Sequence, residues 1–168
     1  KKGLISTPFY QLFPVIYSNK RDKLPSYYYE DELKKMLTYV DRESVIGKRD
    51  YLVLVLAMQL GIRAGDIRML QFSYFQWDKC TIEFVQHKTS NPISLPLPEH
   101  IKYAWIDYVK NSRPASNSPY IFIRNRAPYE PYASSNVFHY VITRYIKAAG
   151  IDCTGRRHGL HSMRHSLA

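Results

Sequence analysis

Three separate stretches of this sequence carry side chains that could act together on a phosphate ester. Arg63 stands two residues after Gly61, at the junction of two helical stretches, where a guanidinium can leave the core and meet a phosphate with paired N–H donors. Asp66, three residues further on, shares its helical face and can hold Arg63 in place. Lys88 closes the alternating stretch Thr81–Lys88 with the parity of Ile82 and Phe84, so it stands at a sheet's tip where a turn can project from the domain. Its neighbour His87 points to the opposite face and reads as structural. His161 and Arg164 are three apart on one expected helix, so both heads can reach a single phosphate group. His165, a turn from His161, reads as a buried hydrogen-bonding residue.

Each of these has a plainer alternative. Arg63 can be a surface arginine near a helix end, Asp66 an exposed helix carboxylate, and Lys88 a solvated turn lysine. A rival chemistry is metal binding by His158, His161 and His165, spaced three and four apart. No carboxylate or cysteine ligand lies near them in sequence, and Arg156, Arg157 and Arg164 would oppose a cation, so phosphate suits the cluster better and no metal is expected.

The elements that must position these residues follow from periodicity. Residues 1–25 combine Pro8, Pro14 and Pro25 with a charged stretch and read as a linker or arm; the domain proper covers residues 26–168. Glu30–Asp41 carries Leu33, Met36, Leu37 and Val40 at helical spacing, with Ser26 or the acidic Glu30, Asp31 and Glu32 supporting its start. Lys48–Leu60 is apolar nearly all round, which predicts a helix buried at the centre and ended by Gly61; Ala64–Leu70 is a short helix after it. Phe72–Trp77, Thr81–Lys88 and Ile93–Leu97 are β-branched or aromatic segments between turn residues, a small antiparallel sheet whose third strand is kept to an edge by Pro96. Helical spacing returns over Glu99–Lys110 and Ser134–Ala149, with a buried Ile121-Phe122-Ile123 between them and a last helix opening near Leu160. The fold class is therefore mainly α with a small antiparallel β-sheet.

At 168 residues and 45% hydrophobic, the chain can bury one ordinary core. The formal net charge of +10 favours a polyanionic partner, and nucleic acid comes first. The excess is concentrated: residues 113–168 hold eight Lys or Arg against Glu130 and Asp152. Cys80 and Cys153 are too few and too far apart for a disulfide framework or a CxxC metal site, which fits a reducing cytosol. The longest apolar run, Tyr51 to Ile62, is about half a membrane span and contains Gln59, so no membrane segment is expected. The apolar residues after Lys1 and Lys2 are broken by Pro8, Gln11 and Pro14, unlike a signal peptide.

Taken in order, Gly61-Ile62-Arg63-Ala64-Gly65-Asp66-Ile67-Arg68-Met69-Leu70, His87-Lys88-Thr89 and Gly159-Leu160-His161-Ser162-Met163-Arg164-His165-Ser166 resemble the tyrosine recombinase or phage integrase family. The resemblance extends over about residues 24–168. It implies the catalytic-domain fold of DNA breaking and rejoining enzymes. It also implies site-specific strand exchange through a 3′-phosphotyrosyl intermediate, on double-stranded DNA, by a protein that assembles as a multimer and uses no cofactor. Arg63, Lys88, His161 and Arg164 then take catalytic roles, with Lys88 protonating the leaving 5′ oxygen, and Asp66 and His165 support them. In the family the tyrosine nucleophile follows the His-x-x-Arg helix after a further His or Trp. It is expected beyond Ala168, so this chain should lack it and be inactive alone, in a prokaryotic cytosol or nucleoid. Two other classes share the constellation: a type IB topoisomerase, and a non-catalytic DNA-binding module.

Overall fold

A computed structural model describes residues 27–156 and 159–166, without the side chains of His161, Arg164 and His165. The expected arm over residues 1–25 and the proposed Ser26 cap lie outside the described residues. The first helix, α1 (Glu30–Thr38), is shorter than its apolar spacing suggested, and the Glu32 carboxylate accepts from the Tyr29 amide at 2.9 Å to close its first turn. In α2 (Val45–Gln59) the Ser44 hydroxyl caps the start by accepting from the Gly47 amide at 3.0 Å. Leu52 to Ala57 are fully buried, so α2 is the axis of the domain, in contact with α1, with α3 (Ala64–Arg68), and with three later helices: α4 (Glu99–Asn111), α5 (Asn136–Ala148) and α6 (Leu160–His165).

The sheet has the order β1 (Phe75–Gln76), β2 (Thr81–Val85), β3 (Pro92–Pro96), antiparallel throughout, with Ile82 opposite Leu95 and Phe84 opposite Ile93. Ile82 and Phe84 face the core, and the prolines at both ends of β3 sit on the edge strand, where a missing N–H is tolerated. The first and second strands are shorter than the alternation implied. Phe72–Tyr74 turns as a 3₁₀ helix because the Phe72 amide is taken by the Pro119 carbonyl at 3.1 Å. Strand β2 stops at Val85, since Gln86 and Asn91 close a turn through an amide–carbonyl bond of 2.9 Å.

Ile121, Phe122 and Ile123 are completely buried, as the sequence implied, and run beside the end of α3: Ile121 donates to the Leu70 carbonyl at 2.9 Å. Among the described residues no helix is long and apolar enough to cross a membrane.

Candidate active site

Gly61 ends α2 in the left-handed conformation, at φ +61°, and Ile62, 2% exposed, re-enters the core. The next residue, Arg63, is extended and immediately precedes α3, so the backbone delivers it to the rim of the domain at a fixed angle. Arg63 is half-buried, and its Nη1 is buried with no hydrogen-bond partner among the described residues. A buried N–H without an acceptor is costly, so a site of this kind accommodates an anion readily.

Asp66 is 4% exposed, and its contact differs from the one its spacing suggested. No ion pair joins it to Arg63 among the described residues. Its Oδ1 instead accepts from the backbone amide of His87 at 2.9 Å, while Oδ2 is buried without a described partner. The carboxylate therefore staples the β2–β3 turn to the helix that follows Arg63.

That turn corrects the reading of Lys88 as a strand residue. Lys88 is exposed and lies in the loop Gln86–Asn91, which is ordered by Ser90 N donating to the Gln86 carbonyl at 2.9 Å and by the Thr89 hydroxyl donating to Gln86 Oε1 at 2.6 Å. The parity argument does not apply past Val85. The conclusion it served, an amine at the tip of the hairpin, follows from the turn. His87 is structural through its main chain, being the residue Asp66 grips. Arg63, Asp66 and the Lys88 turn are thus brought together on one scaffold.

Helix α6 opens at Leu160 as expected and buries Leu160 and Met163 in the core, in contact with α2 and α5. The side chains of His161, Arg164 and His165, together with Arg157 and His158, lie outside the described residues, and with them the rival metal reading. Among the described residues no three His, Cys, Asp or Glu side chains gather as a metal site.

Sequence reasoning missed the anchor of the approach to α6. Arg156, counted with the phosphate-facing cations, is paired with Glu32 through bonds of 2.8 and 2.7 Å and stacks 4.6 Å above the Tyr28 ring. The hydrogen bonds from Arg156 hold the Glu32 carboxyl below its ordinary value. The Tyr28 amide donates to Ser166 Oγ at 2.8 Å, so the chain before α1 is also tied to the end of α6. Nothing local in the sequence signals either contact, since the partners are 124 and 138 residues apart.

Several tyrosines are held in structural work. Tyr28 is buried, with its hydroxyl on Cys153 Sγ at 3.7 Å, Tyr108 bonds the Ile121 carbonyl at 3.4 Å, and Tyr145 donates to Asp50 at 3.1 Å. Burial pushes all three phenols above their ordinary range.

A model of the Phage integrase family matches residues 26–168. The protein y4rA of Sinorhizobium fredii (strain NBRC 101917 / NGR234), which bears an integrase/recombinase name, is 27% identical over 167 residues, covering 99% of this chain and 40% of y4rA. The XerH site-specific recombinase, solved with palindromic difH substrate in a post-cleavage complex, has a TM-score of 0.71 at 19% identity over 89% of this chain and 43% of its own. A lambda integrase dimer bound to a COC′ core site has a TM-score of 0.62 at 21% identity, covering 87% of this chain and 41% of its own. In each case the chain spans about two-fifths of the protein it matches.

Proposed function

The chain belongs to the phage integrase family, and on that premise we propose that residues 26–168 are the catalytic domain of a site-specific tyrosine recombinase acting on duplex DNA. A tyrosine oxygen attacks the scissile phosphorus, the bond to the 5′ oxygen breaks, and the 3′-phosphotyrosyl ester keeps the bond energy for a later attack by an incoming 5′ hydroxyl. Arg63, with Arg164, neutralises charge on the non-bridging oxygens. Lys88 gives its proton to the departing 5′ oxygen, and His161 hydrogen-bonds or exchanges a proton at the same phosphate. Asp66 is a positioning residue that acts through the His87 amide, and His165 supports the helix that carries His161 and Arg164.

The observation that carries this reading is the pairing of two features on α3. Arg63, which immediately precedes it, has a buried N–H without a described acceptor, and Asp66 within the helix fixes the turn that bears Lys88. XerH and lambda integrase, which share the fold, are seen bound to their DNA sites, the latter as a dimer. By the same reasoning we take the partner to be double-stranded DNA and the working form to be a multimer, in a reducing cytosol.

None of the fifteen tyrosines here is assigned as the nucleophile. Tyr28, Tyr108 and Tyr145 are buried, bonded and raised in pKa, the opposite of an activated hydroxyl. The test is a nicked suicide substrate that traps the phosphotyrosyl adduct. Residues 1–168, in which no tyrosine is assigned as nucleophile, should form no adduct, and any longer form of the chain that carries one should form it even with excess chelator. An adduct with residues 1–168 alone would show that the nucleophile lies within this chain, and loss of cleavage on chelation would restore the metal reading.

A further inference from the structure

The basic excess of the C-terminal third is distributed differently from its appearance in sequence. Arg113 donates to the carbonyls of Ser118, Tyr120 and Ile121 at 2.9–3.0 Å, Arg156 is paired with Glu32, and Arg144 reaches Asp50 at 3.4 Å. Of the cations there whose side chains are described, Arg124, Arg126 and Lys147 have no hydrogen bond or ion pair to another described residue. Two of these three lie in one loop.

That loop is built rather than loose. The buried Ile123 bridges to Pro131, and between them the chain makes an exposed excursion, residues 124–130. The Arg124 amide donates to the Glu130 carbonyl at 2.9 Å and the Tyr129 amide to the Arg126 carbonyl at 3.0 Å. Its two ends are fastened at α3 and at the residues just past it. Upstream, Gln71 bridges to Tyr120 and Ile121 bonds Leu70. Downstream, Arg68 Nη1 donates to the Tyr132 carbonyl at 2.8 Å, and Arg49 Nη1 to the Tyr132 hydroxyl at 2.9 Å. The five-residue helix that follows Arg63 therefore fixes two projections: the Lys88 turn through Asp66, and the Arg124–Glu130 loop through Arg68.

We infer that the loop 124–130 is a second DNA-contacting element, with Arg124 and Arg126 on backbone phosphates, held in register with Arg63 by α3. The inference rests on the DNA-acting reading above. Guanidinium groups offer paired donors that fit phosphate oxygens, and a backbone already fixed by hydrogen bonds loses less freedom on binding. Only Glu130 opposes them within the loop. A phosphate contact carries no sequence information, so the loop should contribute equally on any duplex.

Anisotropy titrations of the chain with fluorescent duplexes of two unrelated sequences, across a range of salt, test this. Wild type should show a slope of log affinity against log salt of about −4 to −7, for roughly four to eight phosphate contacts. Arg124→Ala with Arg126→Ala should make the slope shallower by about 2, one for each phosphate lost, on both sequences alike. Thermal melting should be unchanged, since both side chains are exposed without a described partner. A double variant that keeps the wild-type slope and affinity would overturn the inference while leaving the DNA reading intact. An effect confined to one sequence would overturn the phosphate assignment, and a wild type that binds no duplex would sink the parent reading instead.

Discussion

In the proposed reaction Arg63 and Lys88 serve different atoms of one phosphate, and a changed leaving group separates them. Either substitution to Ala should slow cleavage in any form of the protein that carries the nucleophile. Loss of a donor to a developing phosphoryl charge costs about 10²–10³ in rate, and loss of a general acid roughly 10²–10⁴, so rates alone do not distinguish them. When sulfur replaces the bridging 5′ oxygen, the thiolate departs unprotonated. Lys88→Ala should then recover most of its rate, and Arg63→Ala and Arg164→Ala should not. Asp66→Ala gives the sharper result, because the structure ties its carboxylate to the His87 amide rather than to Arg63. It should behave like Lys88→Ala and be rescued by sulfur; a variant that stays slow would mean that Asp66 acts on Arg63 after all. At this scale the sequence marked out candidate side chains, because a glycine-ended helix and a turn lysine leave local marks. The partner of Asp66 left none, since it is a main-chain amide 21 residues away.

At the scale of elements, the sequence located each α-helix of the described residues but read the 3₁₀ turn Phe72–Tyr74 as strand, and the helix ends were set by contacts that spacing does not encode. Strand β2 ends at Val85 because the Gln86–Asn91 turn claims its backbone groups, and Phe72–Tyr74 leaves the sheet because Pro119 takes the Phe72 amide. The joint between α1 and the approach to α6 is similar: the acidic first turn of α1 was legible, but its bond to Arg156 was not. That joint has a pH signature. The Arg156 bonds hold Glu32 below its ordinary value of 4.5. A carboxylate depressed on folding contributes stability that is fully present above 4.5 and is lost as the pH falls through the folded value. Glu32→Gln keeps an oxygen for the Tyr29 amide but removes the charge. It should lower stability by roughly 1 kcal/mol or less at neutral pH, as expected for a partly exposed pair. Melting curves of the two proteins should converge in acid; a gap that persists there would come from packing and not from the ion pair.

Across the whole molecule, net charge pointed to a polyanion, but it did not reveal which cations are occupied by the protein itself. The clearest case lies in α2, which the sequence presents as an apolar axis and which buries Arg49 and Asp50 near its start. Asp50, 0% exposed, accepts from Arg49 Nε at 2.9 Å, from the Tyr145 hydroxyl at 3.1 Å and from Arg144 at 3.4 Å, so one carboxylate joins α2 to α5. Arg49 in turn reaches Tyr132, at the base of the loop proposed to contact DNA. Breaking a buried pair from one side leaves an uncompensated charge and typically costs about 3–5 kcal/mol, whereas replacing both partners by apolar groups is often close to neutral. Arg144 is more than half exposed and can turn to water, so the cost of Asp50→Ala should fall mainly on Arg49 and the Tyr145 hydroxyl. Urea unfolding should therefore find Asp50→Ala strongly destabilised, and the double variant Arg49→Met with Asp50→Leu less so, despite its two changes. If the double variant is the weaker of the two, the buried charges are a net source of stability in this domain. If Asp50→Ala costs under about 1 kcal/mol, well short of the usual penalty, Arg49 finds water and the network does not hold α2 to α5.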